Sequence, residues 1–180
     1  MTLEDDDPAH FEIVLKFAYT ATLDMDAISR LAASAPREIV KHLIGVSIVA
    51  DKYDISRILP PITEQLEIAL STLKNAQFSF YKDMVETYYG SCLLADTAIG
   101  QRITQATVKY RISLVSYTDF EELVKRFPIF AVDIALDQHK QGILGATKKK
   151  CQKCQGTSTI TKAGYTHCVD CGRAADMVTV

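Results

Sequence analysis

The 180-residue chain contains no apolar run of the roughly 18 residues that a membrane-spanning helix needs. Its opening stretch, MTLEDDDPAH, is acidic and has neither the basic nor the apolar segment of a secretory signal. It carries no glycine-rich phosphate loop, no GxSxG nucleophile turn and no HExxH metal helix. His10, His42 and His139 are scattered, so sequence alone assembles no catalytic cluster around them. There is no internal repeat and no low-complexity tract. These absences lead us to expect a non-catalytic protein of the cytoplasm or nucleus, with no membrane partner.

What is present is ordinary for a folded chain: hydrophobic residues make up 48 % and charged residues 23 %. That balance excludes wholesale disorder. The formal net charge of −2 hides a polarity. Residues 1–26 carry seven acidic side chains against Lys16 alone, whereas residues 148–173 carry six basic ones against Asp170 alone. The tail is locally basic on a mildly acidic protein.

Helical spacing dominates the first 141 residues. In PAHFEIVLKFAY, Phe11, Val14, Leu15 and Ala18 recur on one face, and Asp7 before Pro8 is a good helix start. The neighbouring acids Glu4, Asp5 and Asp6 read as a solvated helix start suited to the positive end of its dipole. Residues 20–30 read as a loop. A second helix spans 38–53 through Ile39, Leu43, Val46, Ala50 and Tyr53, with His42 off the stripe and therefore exposed. Asp54 is placed to cap the next helix, which Pro60 and Pro61 should kink or split in two. Phe80, Met84 and Tyr88 form another stripe, and residues 92–115 a longer one through Leu94, Ile99, Ile103, Tyr110 and Leu114. The run from Thr118 to Glu121 reads as a capping box, and Pro128 can open a last helix through Ile129, Val132 and Leu136. Cys92, in the context SCLLA, reads as a buried small hydrophobe.

Two of these stretches carry a family resemblance. LEDDDPAHFEIVLKFAYTATL resembles the acidic Asp-Pro-x-x-Phe helix and following turn of BTB/POZ domains, and VSIVADKYDISRI is similar to their "ADKYDI" helix junction, a spelling frequent in fungal members. Together they cover residues 3–70 in matching order. The β-rich half that opens such domains, with its SD(l/v), H+vL and S.YF signatures, does not precede Met1, so the resemblance is to the helical half alone. It implies a protein–protein interaction module. In that family some members are adaptors for cullin-based ubiquitin ligases, facing the cullin with segments that correspond here to about 8–20 and 45–60. A family-type homodimer, which uses the β-rich half, is not expected. The resulting domain plan is a partial BTB-like helical region over 1–75, a helical extension over 76–141, and a glycine–lysine linker over 142–150.

The final segment is CQKCQGTSTITKAGYTHCVDCGR. Cys151 and Cys154 form one CxxC pair, Cys168 and Cys171 another, with thirteen residues between them. Two such knuckles converging on one cation give tetrahedral sulfur coordination, which suits a single Zn2+. The threonine-rich stretch between them reads as a β-hairpin, so residues 151–173 are expected to form a zinc ribbon. Four thiolates leave no open coordination position, so the metal is structural rather than catalytic. The ribbon's own core is too small to hold without it. His167, beside Cys168, reads as an exposed hairpin histidine, with replacement of a cysteine ligand as the alternative.

Lys148, Lys149, Lys150, Lys153, Lys162 and Arg173 supply positive charge around the ribbon. They could contact nucleic acid or an acidic protein, although Tyr165 is the only aromatic there to stack on a base. The sequence therefore predicts a mainly α protein with a small β-hairpin ribbon at its C-terminus. The expected function is that of a scaffold or adaptor whose protein partner is a cullin or another BTB-binding protein. A nucleic-acid-associated transcription regulator is the alternative.

Overall fold

The computed structural model describes residues 6–73, 76–92, 94–111, 117–141, 147–151, 154, 157–160 and 177–179. The fold is mainly helical, and the chain divides into two compact units, Met1–Ile134 and Ala135–Val180. Eight helices are described: α1 (Pro8–Thr20), α2 (Met25–Leu31), α3 (Pro36–Lys52), α4 (Leu59–Thr72), α5 (Phe78–Tyr89), α6 (Ala98–Arg111), α7 (Tyr117–Arg126) and α8 (Pro128–Lys140). Three short strands, β1 (Thr147–Cys151), β2 (Thr157–Ile160) and β3 (Met177–Thr179), lie in the second unit. No described helix is long and apolar enough to cross a membrane.

Helix α1 begins as its sequence dictates. The Asp7 carboxylate accepts from the N–H groups of Ala9 at 2.8 Å and His10 at 3.3 Å, two donors that the helix itself cannot satisfy. Pro8 occupies the position whose missing N–H costs nothing. The buried face differs from the expected stripe: Ile13, Val14 and Phe17 point inward, while Leu15 is exposed. An apolar run of Ile13, Val14 and Leu15 spans more arc than one helix face can bury, and Phe17 decides the phase.

Most of the 20–30 stretch expected to be a loop lies in the helix α2, Met25–Leu31. Asp24 caps it, accepting from Ala27 N–H at 2.9 Å, and Lys16 reaches the same carboxylate at 2.5 Å. Seven residues with three charges or hydroxyls among them are too short to show a helical period, so the cap is the only available signal.

Helix α3 is the central element and packs against α1, α2, α4 and α5. Its buried residues are Val40, Leu43, Ile44, Val46, Ser47, Val49 and Ala50, a face wide enough to serve neighbours on several sides. Asp54 does not cap α4. It sits in the left-handed region at φ 56°, and a 3₁₀ turn (Ser56–Ile58) leads into that helix. Pro60 and Pro61 lie in the first turn of α4, where no intrahelical N–H bond is lost. The expected interruption is thus the 3₁₀-to-α junction.

Helix α6 packs against α4 and α5, and Phe80, Met84, Tyr88, Ile99 and Ile103 are buried as their spacing predicts. One hydrophobic core runs from Ile13 to Phe130, through both the 1–75 and the 76–141 segments. Helix α7 starts at Tyr117, so Thr118 lies inside it rather than at its cap. Pro128 does open α8, but the buried residues of that helix are Phe130, Asp133 and Asp137, while Val132 is 47 % exposed. Asp133 explains the rotation. Its Oδ2 accepts from the Tyr89 hydroxyl at 2.7 Å and its Oδ1 from the Asp96 backbone N–H at 2.6 Å. The Tyr89 hydroxyl in turn bonds to the Thr104 hydroxyl at 3.1 Å. Burial first, and the Asp133 carboxylate with it, pushes the Tyr89 phenol well above its usual value.

In the second unit β1 is the middle strand, with β2 and β3 on its two edges. It pairs antiparallel with β2, Lys148 opposite Thr159 and Lys150 opposite Thr157. It also pairs antiparallel with β3, Lys150 opposite Val178 and Cys151 opposite Met177. The lysine run expected to be a linker is therefore backbone-paired strand. β2 lies where a hairpin strand is expected and pairs with β1 upstream of Cys151; residues 161–167, the other part of the expected hairpin, lie outside the described residues.

Candidate functional site

The four-cysteine centre falls largely outside the described residues. Cys151 ends β1 and Cys154 is exposed, whereas Cys168 and Cys171 lie outside. Of the basic residues, Lys148, Lys149 and Lys150 occupy consecutive positions of β1, and Lys153, Lys162 and Arg173 lie outside the described residues. Among the described residues no group of three or more His, Cys, Asp or Glu side chains is placed to hold a metal.

The helical unit brings together residues from both stretches that carry the family resemblance. Asp6 accepts from Lys52 Nζ at 2.9 and 3.0 Å and from the Tyr53 hydroxyl at 2.6 Å. The Tyr53 hydrogen bond first, then Lys52, holds the Asp6 carboxyl below the usual carboxylate range, and the same bond pushes the Tyr53 phenol up. Phe11 meets the Tyr53 ring edge-on at 5.2 Å between centroids. Asp6, expected to be a solvated charge, is instead the clasp between the start of α1 and the end of α3. That contact spans 47 positions, and no local pattern announces it.

Deeper in the same junction His10 and His42 meet. His10 Nε2 and His42 Nδ1 are 2.9 Å apart, one imidazole donating to the other, and the Asp7 carboxylate lies 3.8 Å from His10 Nδ1. Neither histidine is isolated, and His42 is half-buried rather than exposed. A Cβ at Gly45 would overlap the His10 ring, so glycine on α3 is what lets the imidazole in. Desolvation lowers the His10 pKa, Asp7 opposes that shift and His42 adds to it. The i, i+3 arrangement of Asp7 and His10 is readable in sequence; the partner thirty-two residues away is not.

These contacts use the inward side of α1. Its outward side carries Leu15, 44 % exposed, and Tyr19, 85 % exposed, one turn apart on one face. Cys92 is half-buried on the wall of a cavity, not sealed in the core. No family model, no curated protein and no solved structure matches the chain.

Proposed function

We propose that the chain is a non-catalytic protein-interaction protein: a BTB-like helical scaffold or adaptor carrying a structural four-cysteine zinc ribbon. The observation that supports this reading best is the outward face of α1. Tyr19 is almost wholly solvent-exposed beside Leu15, and tyrosine is a preferred anchor at protein interfaces. The face lies in one of the two segments that the BTB resemblance points to as partner-facing. The clasp of Asp6, Lys52 and Tyr53 supports it further, since it fixes α1 on α3 and so presents Leu15 and Tyr19 on a rigid surface.

The adaptor version is tested by titrating folded, zinc-loaded protein against a cullin N-terminal domain. We expect saturable binding that weakens about tenfold or more in the Leu15→Ala/Tyr19→Ala double variant. Absence of binding removes the cullin assignment, and binding unchanged in the double variant removes α1 as the surface. The ribbon is tested by elemental analysis of protein purified under reducing conditions. About one zinc per chain is expected, lost in Cys151→Ser or Cys171→Ser. Metal-free protein with an intact tail would refute the zinc ribbon.

A further inference from the structure

A cavity of about 310 Å³ opens in the helical unit between α3, the start of α4, the end of α5 and the start of α6. That volume is within the range of small-molecule sites. Ile48, Leu59, Ala98 and Ile99 give it apolar walls, and Leu94, 64 % exposed, stands on its rim.

The Ser47 hydroxyl donates its proton to the Ile44 carbonyl at 2.7 Å, and the Cys92 thiol donates to the Leu94 carbonyl at 3.5 Å. The Tyr88 and Thr97 hydroxyls bond to each other at 2.7 Å. The ammonium of Lys52 is committed to Asp6. These bonds engage several of the lining's donors and leave lone pairs facing a guest, with the Ser91 hydroxyl able to donate or accept. Asp51 lines the same cavity, and its carboxylate has no ion-pair or hydrogen-bond partner among the described residues. An apolar pocket with acceptor groups and one uncompensated carboxylate selects against anions and for a protonated amine.

We propose that this cavity binds a small organic amine, its apolar body between Ile48, Leu59 and Ile99 and its ammonium group on Asp51. Cys92 reports on the site, because a guest against that wall shields the thiol.

The experiment uses the full chain and three probes of matched size: phenethylamine, phenethyl alcohol and hydrocinnamate. Alkylation of Cys92 by iodoacetamide is read by mass analysis of its peptide, which separates it from the tail cysteines. Phenethylamine is expected to protect Cys92 saturably, at a concentration about tenfold below the alcohol, with the anion weakest. Asp51→Asn, at an exposed position, should keep the fold and bring amine and alcohol together. Ala98→Trp, filling the mouth, should abolish protection by both. The proposal is overturned if the amine gives no saturable protection, if hydrocinnamate protects as well as the amine, or if Asp51→Asn leaves the preference intact.

Discussion

Gly45 and His10 show what a single side chain decides in this fold. The imidazole occupies the space where any other residue at 45 would place its Cβ. Gly45→Ala should therefore push α1 outward and cost about 1–3 kcal/mol, read as a lowered urea midpoint with unchanged slope. The same imidazole gives the protein a mild acid sensitivity. The groups shown interacting with it are Asp7 at the α1 cap and His42 on α3. Its folded pKa lies below the ordinary 6.5, so the unfolded chain binds the proton more readily. Stability contributed here is present above about 6.5 and is lost as pH falls toward the folded value. His10→Gln should flatten the stability–pH curve in that window. The carboxylates Asp6, Asp7 and Asp24, all held below their usual value of 3.8, act in a separate and more acid window. A curve unchanged by His10→Gln would show that the shift lies elsewhere.

At the level of elements, legibility tracks how local the deciding contact is. The α1 start is readable because Asp7 caps residues two and three positions away. The stripe of Phe80, Met84 and Tyr88 is readable because it is uniform and has a single buried side. Helix α8 is readable in extent and misleading in orientation. Apolar Ile129, Val132 and Leu136 define an apparent inner face, but Asp133, bonded to Tyr89 44 positions earlier, turns the helix so that Phe130 lies inward. A buried hydrogen-bonded carboxylate outweighs one exposed valine, because leaving it unpaired costs more than the valine gains by burial. Two substitutions separate the readings. Phe130→Ala should cost about 3–5 kcal/mol, while Val132→Asp should change stability by only about 0.5 kcal/mol. Equal costs measured by chemical denaturation would favour the periodicity over the structure.

Across the whole molecule, two signals of different reach divide the chain. The helical unit is built on long-range contacts of a continuous core, so its main elements can be read from sequence but not assembled. The clasp of Asp6 with Lys52 and Tyr53, the histidine pair and the cavity beside Cys92 all join residues far apart in the chain. The tail is the reverse case: the expectation of a zinc ribbon rests on its CxxC spacing, a local pattern that involves no distant residue. The bond from the Asp96 N–H to Asp133 ties the connection between α5 and α6 to α8. Asp96 is surface-exposed, in the connection between α5 and α6, and its amide would ordinarily trade its proton for solvent deuterium within the lifetime of a loop fluctuation. Tied to a buried carboxylate of α8, it can exchange only when that helix lets go. Its deuterium uptake should therefore match that of the α8 amides around Asp133, and a single surface amide becomes a clock for detachment of the last helix.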